Sequence, residues 1–241
     1  MPSEYIVSLG SNCEVGMMIK KKYISMYSNV FNWTNITLEN LILILNNLDH
    51  LRNNDNFKIV YELSFESEKI YKSKNIDDIK KYYLDNPKKY RVHIDYEFYI
   101  DLKFIYWSHG IVEDNIENFI NCSLNTYEQI ILNKINYLVE HTFIILNNNT
   151  DIIKIYIKCL KDEYTLDLFT NLENIFNRPN IYIGIIYESD SDIDIQTKNT
   201  NTVLLRCNKL TGHHEAVFSK LYNTQEKYFT LFEAIDRLSK S

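Results

Sequence analysis

The sequence predicts an α/β protein with a mainly parallel sheet and helices on both faces, in three layers. Short, mostly apolar runs, typical of strands buried on both faces, occur at residues 5–9, 181–187 and 202–207. Segments with apolar residues at helical spacing lie between such runs, and strands that alternate with helices are typical of a parallel sheet. We predict one domain over residues 1–241, with a less regular insertion subdomain around residues 50–105.

The first strand is predicted to lead through a tight turn into a helix. From Val15 onward, apolar residues recur at helical spacing as far as Tyr23. Glu14 stands at the start of this segment and three lysines stand near its end, which suits the dipole of a helix. Residues 10–12 are therefore predicted to form the turn, and Cys13 is predicted to lie at the helix N-terminus.

The later elements follow from the same patterns. Thr37 is predicted to be the N-cap of a helix with one apolar face. The apolar run at 142–146 predicts a further strand, and residues 90–107 are predicted to be rich in strands. The other predicted helices cover residues 124–140, most of the stretch from 147 to 176, and residues 213–222 and 226–238.

Charge and hydropathy argue against two classes of partner. The chain has 241 residues and a net charge of −6, with no basic block, so we expect no nucleic-acid partner. Its apolar runs are far shorter than the roughly 20 residues that span a bilayer, so we expect no membrane partner. The chain is rich in Asn, Ile, Tyr and Lys, as in AT-rich genomes such as those of parasites or large DNA viruses.

Cysteine usage predicts a reduced, cytoplasmic compartment, or the host cytoplasm or virion if the chain is viral. The four cysteines are widely separated and form no CxxC pair, so neither a disulfide framework nor a zinc site is expected. No cofactor is implied. The three downstream cysteines lie in apolar, periodic contexts and are predicted to be core residues: Cys122, Cys159 and Cys207.

Cys13 is the candidate nucleophile. A thiol at a helix N-terminus has a lowered pKa, which increases the reactive thiolate fraction. Backbone N–H groups there can also stabilise an oxyanion. Gly10 allows the sharp turn, and Ser11 and Asn12 offer hydrogen bonds beside the thiol. The structural alternative is a packed cysteine, since free cysteines are often buried.

A cysteine nucleophile needs a base, usually a histidine. His109 follows a strand-like stretch and is the first candidate. His213 and His214, at the predicted start of a C-terminal helix, are the alternative. Neighbouring residues point to different sides, so this pair is not expected to bind a metal. The other three histidines are predicted to be structural: His50, His93 and His141.

Three short motifs resemble an uncharacterised family described as papain-like cysteine peptidases, with members in bacteria and large DNA viruses. The motifs are SLGSNC at 8–13, FNW at 31–33 and WSH at 107–109. The resemblance implies a thiol nucleophile at Cys13 and a base at His109. The family has an acid where this chain has Asn32, and an amide can hold an imidazole ring without offsetting its charge.

We therefore predict a cysteine-dependent hydrolase or acyl-transfer enzyme that acts on a peptide, amide or ester. Asn32 or Asn12 would orient the base, and Gly10, Ser11 and Trp33 are assigned to the ligand site. Two alternatives stay open: a phosphate- or sugar-nucleotide-binding transferase or binding module that uses the turn at 10–13, and a catalytically inert host-interaction protein on an enzyme fold. A serine esterase with Ser11 as nucleophile is a weaker template, because the expected Asp is missing. The sequence does not indicate the oligomeric state.

Overall fold

The computed structural model describes residues 3–10, 13–23, 26–32, 34–66, 68–121, 124–159, 166–189, 194–197, 201–208 and 222–240. The backbone alone is described for residues 13, 107–113, 124–126, 188–189, 194, 197, 207–208 and 222–224. The chain divides into two compact units, one formed by residues 1–48 with 141–241 and the other by residues 49–140.

Two short 3₁₀ helices, Leu48–Arg52 and Asn54–Asn56, precede the second unit's first strand. The described elements in chain order are β1 (Glu4–Ser8), α1 (Cys13–Lys22), β2 (Thr34–Asn35), α2 (Leu38–Asn46), β3 (Phe57–Phe65), β4 (Glu68–Ser73), α3 (Ile76–Asp85), β5 (Arg91–Ile100), β6 (Lys103–Asn115), α4 (Ile116–Asn121), α5 (Leu124–Asn147), β7 (Ile152–Cys159), α6 (Leu166–Ile175), β8 (Ile181–Ser189), β9 (Asp194–Thr197), β10 (Thr202–Asn208) and α7 (Tyr222–Leu238).

The first unit contains a mostly parallel sheet with the strand order β1-β7-β8-β10-β9. The pairs β1–β7, β7–β8 and β8–β10 are parallel, and β9 is antiparallel to β10. The predicted α/β class with a mainly parallel sheet is confirmed. The predicted strands at 5–9, 181–187 and 202–207 correspond to β1, β8 and β10.

Helices α1 and α7 pack on one face of this sheet. Their buried apolar residues form one cluster with inward-facing side chains of β7, β8 and β10. The members of the cluster are Val15, Met18, Ile19, Tyr156, Ile186, Val203, Leu205, Tyr228, Leu231, Phe232 and Ile235. This packing fixes α1, and therefore the end of the β1–α1 turn, against the sheet.

The second unit contains an antiparallel sheet in which β6, β5, β3 and β4 are neighbours in that order. One face is apolar and buried, and includes Tyr61, Leu63, Ile94 and Phe98. The other face is polar, because alternate residues of β3 and β5 are charged or hydrogen-bonding. Residues 50–105, predicted to be less regular, are mainly in regular strands with one helix, α3.

Two element predictions are wrong. Residues 142–146 are the last turns of helix α5, since a short apolar run does not distinguish a strand from a buried helix. The stretch before 176 is not mostly helical, because β7 occupies Ile152–Cys159.

Other predictions are confirmed by the described elements. The helix predicted at 124–140 lies within α5, and the helix at 226–238 lies within α7. The Thr37 side chain accepts a hydrogen bond from Asn40 N at 3.2 Å, as expected of an N-cap. The helix predicted at 213–222 falls outside the described residues except for its last position. None of the described helices combines the length and apolar content that a membrane crossing requires.

Candidate functional site

The turn after β1 is built around Gly10. Leu9 N donates a hydrogen bond to Tyr156 O at 3.1 Å, which continues the pairing of β1 with β7 for one residue. Gly10 then has a φ of +72°, in the left-handed region that favours glycine. A Cβ there would lie 2.2 Å from Ile36 Cγ2. Backbone conformation and close packing therefore both require glycine three residues before Cys13, where α1 begins.

The segment that contains the FNW motif packs beside this turn. Asn29 Nδ2 donates to Ser8 O at 3.3 Å, at the end of β1, and to Asn32 Oδ1 at 2.8 Å. Asn32 Nδ2 in turn donates to Tyr27 O at 3.2 Å. Asn32 is buried, and its oxygen and its nitrogen both serve the local turn. Two of the three motifs of the resemblance therefore meet at the carboxyl end of β1.

A buried ion pair lies under the first turn of α1. Glu14, the residue after Cys13, places Oε2 2.5 Å from Lys158 Nζ on β7. The exposed fractions of the two side chains are 0% and 2%. Tyr228 OH on α7 donates to Glu14 Oε1 at 2.9 Å. The carboxylate thus joins α1, β7 and α7, which fixes the start of the helix that carries Cys13.

A second buried lysine lies on the same face of β7. Lys154 Nζ is 2.6 Å from Asp236 Oδ1 and 2.7 Å from Glu4 Oε1. Tyr23 OH donates to Asp236 Oδ1 at 3.0 Å and lies 3.1 Å from Tyr156 OH. Burial raises the pKa of both phenols well above the ordinary value, so both stay protonated. Lys154 lies in the amino-terminal half of β7, four residues before Lys158, so it serves as the control for Lys158.

The structure describes some of the predicted site residues in full, some by their backbone only, and others not at all. Gly10 and Asn32 are described in full. Cys13, described by its backbone, is the first residue of α1, and His109, also described by its backbone, lies in β6 of the second unit. The remaining predicted site residues lie outside the described part of the chain: Ser11, Asn12, Trp33, His213 and His214.

Two other predictions concern cysteines and metals. Cys159, predicted to be a core residue, is fully buried. Cys122 and the side chain of Cys207, for which the same was predicted, lie outside the described part of the chain. Among the described residues, no three or more His, Cys, Asp or Glu side chains are grouped so as to hold a metal ion.

Three residues of the site were missed by the sequence analysis in their present role: Glu14, Lys158 and Tyr228. Glu14 was noted only as an acidic residue in the first helical turn. Its partners are 144 and 214 residues away in sequence. A lysine within a strand buried on both faces is the one signal available, because a buried lysine needs an acidic partner.

Comparisons of the chain with protein-family models, with curated protein sequences and with solved structures gave no match. The function is therefore argued from the residues and their geometry.

Proposed function

We propose that the chain is a cysteine-dependent hydrolase or acyl-transfer enzyme in which Cys13 is the nucleophile. The observation that carries the proposal is the position of Cys13 at the start of α1, directly after the carboxyl end of β1. In open parallel sheets, ligands bind at the carboxyl ends of the strands. The first N–H groups of a helix lack partners within the helix and carry partial positive charge.

The proposed chemistry uses these N–H groups and a base. The Cys13 thiolate attacks the carbonyl carbon of a peptide, amide or ester, and the N–H groups at residues 12–13 stabilise the oxyanion. His109 is the proposed base, which takes the thiol proton and delivers it to the leaving group. Water then hydrolyses the thioester, or a second nucleophile accepts the acyl group. Asn12 is proposed to orient the base.

The buried ion pair supports a reactive thiol. The Glu14 carboxylate follows Cys13 directly in sequence, and alone it would disfavour a thiolate. Lys158 Nζ, 2.5 Å from Glu14 Oε2, offsets that negative charge. The helix N-terminus favours the thiolate.

The packing of Asn32 bears on its proposed role. Because both ends of its amide make hydrogen bonds within the turn at 27–32, its contribution to the site is to shape the backbone beside β1. We propose Asn12 ahead of Asn32 as the orienting residue for this reason.

We also propose the layer arrangement of the first unit, the substrate class and the compartment. The residues of β7 that point away from α1 and α7 are also buried, which supports helices on both faces of the sheet and hence a three-layer arrangement. The substrate is a peptide or small molecule, without a nucleic-acid or membrane partner. The compartment is the cytoplasm, or the host cytoplasm or virion for a viral chain.

Turnover of a panel of small esters, amides and isopeptides tests the proposal. We expect Cys13→Ser and His109→Gln to lower kcat/KM by about 10³-fold or more, since nucleophile and base act as a unit. Cys159→Ala, which removes a buried thiol of the core, is the matched control and should keep kcat/KM. Equal turnover by Cys13→Ser and the unmodified chain would exclude the proposal.

A binding module is the second candidate, and the positive φ of Gly10 before a helix N-terminus favours it. Such turns can hold phosphate groups on backbone N–H groups without a nucleophile. Thermal stabilisation by phosphate or a sugar nucleotide, retained in Cys13→Ala, would support this candidate. An inert host-interaction protein would show neither turnover nor stabilisation.

A further inference from the structure

A serine and a histidine meet on the polar face of the second unit's sheet. Ser64 Oγ on β3 lies 2.8 Å from His93 Nε2 on β5. Ser64 is 7% exposed, so the hydroxyl is largely shielded from water. His93, predicted to be a structural residue at a strand edge, therefore makes the contact that a nucleophile makes with its base.

The strand register surrounds this pair with charged residues. Glu62 stands directly opposite His93 and is buried. Lys69 of β4 and Arg91 of β5 stand opposite Ser64 on its two sides. Directly opposite residues of an antiparallel pair have Cβ atoms roughly 5 Å apart on the same face. Lys69 Nζ also lies 3.0 Å from Glu62 Oε1, so the acid beside the histidine and one of the two cations beside the serine form an ion pair.

The β3–β4 register shifts between Leu63 and Ser64, and such bulges redirect side chains, often beside active sites. A small open cavity of about 90 Å³ lies along the same face. Its walls include Glu62 and Val60 of β3, two and four residues before Ser64. They also include Asp95 and Glu97 of β5, two and four residues after His93. Lys69 and Lys72 line it from β4. The cavity is therefore bordered by Lys69, which stands opposite Ser64, and by Glu62, which stands opposite His93.

We propose that Ser64 is a second nucleophile, with His93 as its general base, and that it transfers acyl groups from small polar esters. The Ser64 oxygen forms a bond to the ester carbonyl carbon, and its proton moves to His93 Nε2. The carbonyl oxygen takes up negative charge beside Lys69 and Arg91. The bond to the alkoxide then breaks, and His93 gives the proton to the departing alcohol. Water, activated in the same way, releases the carboxylic acid from Ser64.

This inference is independent of the proposed function, because it uses none of the residues assigned to the Cys13 site. The test is made on the full-length chain carrying Cys13→Ala, so any reaction at Cys13 is absent. The probe is a fluorophosphonate, which bonds through phosphorus to an activated serine and releases fluoride. Mass spectrometry of the proteolysed chain identifies the labelled serine.

We expect the label on Ser64, with none on Ser73 of the same sheet, whose hydroxyl donates to Asp78 Oδ2 at 2.8 Å instead of meeting a histidine. His93→Gln keeps a hydrogen-bonding partner for Ser64 but removes the base, and it should slow labelling by about 100-fold, since general bases contribute about 10²–10⁴. An unchanged thermal midpoint shows that this variant stays folded.

Hydrolysis of p-nitrophenyl acetate by the same chain gives a second readout, and Ser64→Ala should abolish it. The inference would be overturned by an unlabelled Ser64, by equal labelling of Ser64 and Ser73, or by labelling that His93→Gln leaves unchanged. None of these results bears on the proposal for Cys13. In the same way, a failure to find turnover by Cys13 would not bear on the proposal for Ser64.

Discussion

Lys158 Nζ and Glu14 Oε2 are 2.5 Å apart, and neither side chain is more than 2% exposed. They join the carboxyl end of β7 to the first turn of α1, the helix that begins at Cys13. Taking two charges out of water is costly, and their mutual attraction offsets this cost only while both are present. The pair therefore fixes the geometry of the candidate site and makes that geometry sensitive to single substitutions.

We predict that Glu14→Gln and Lys158→Met each lower the free energy of unfolding by about 3–5 kcal/mol, because each leaves one buried charge without its partner. The double variant should be more stable than the sum of the two losses implies. Denaturant unfolding of the four chains measures the coupling. The surface pair Lys22–Glu233, with the carboxylate side chain 58% exposed, is the control, and Lys22→Met should cost no more than about 1 kcal/mol. Similar small losses at both pairs would contradict the prediction.

Gly10 gives a second stability prediction. Gly10→Ala should lower the free energy of unfolding by about 2 kcal/mol or more, because its φ of +72° disfavours a side chain and its Cβ would contact Ile36 at 2.2 Å. Gly16 within α1 is the matched control, since a Cβ there meets nothing nearer than Met26 Cε at 3.4 Å. Gly16→Ala should be neutral or stabilise by up to about 1 kcal/mol. Thermal melts of the two variants would refute this account if they shifted alike.

A substitution of Asn32 distinguishes a role in shaping the turn from a role in catalysis. In Asn32→Asp the donor to Tyr27 O is lost while the acceptor for Asn29 Nδ2 is kept. We expect the free energy of unfolding to fall by about 1–3 kcal/mol, the usual effect of leaving a buried group unsatisfied. We expect no gain in turnover. A variant that gained turnover without losing stability would show that position 32 serves the base, as the family resemblance implies for its acid.

The second unit should lose stability in acid partly through Glu97. Burial raises the pKa of this carboxyl, but hydrogen bonds from Lys74, Tyr99 and Lys72 outweigh it, so the pKa lies below the ordinary 4.5. A lowered pKa in the folded state means that the stabilisation is complete above the ordinary value and is lost as the pH falls through the folded value. Glu97→Gln should therefore cost about 0.5–1 kcal/mol at pH 7 and flatten the decline in thermal midpoint below pH 4.5. An acid limb as steep as that of the unmodified chain would contradict this assignment.

Local patterns in the sequence predict the elements near the candidate site well. Mostly apolar runs identify β1, β8 and β10, and the position of Thr37 identifies the start of α2, because each depends only on neighbouring residues. The placement of Cys13 at the start of α1 follows in the same way, from the charges at the two ends of the helix.

What the sequence analysis missed depends on distant partners. Strand β7 carries Lys154 and Lys158 on a buried face, and a lysine becomes acceptable there only because Asp236 and Glu14 reach it from other elements. The Ser64–His93 contact likewise depends on the register of β3 with β5, which alternation within either strand does not fix. Polar contacts between strands are set by register, and register becomes visible only in the folded chain.

The proposed function depends most on Cys13. The pH dependence of Cys13 alkylation tests this proposal most directly. Iodoacetamide labelling, resolved by peptide mass spectrometry, gives the titration midpoint of the Cys13 thiol in the full chain. We predict a midpoint below that of an ordinary cysteine, lowered further in Glu14→Gln and raised in Lys158→Met, while Lys154→Met, the control on the same strand, leaves it unchanged. A Cys13 thiol that resists labelling, or that titrates at or above the ordinary value in the unmodified chain, would contradict its role as the nucleophile.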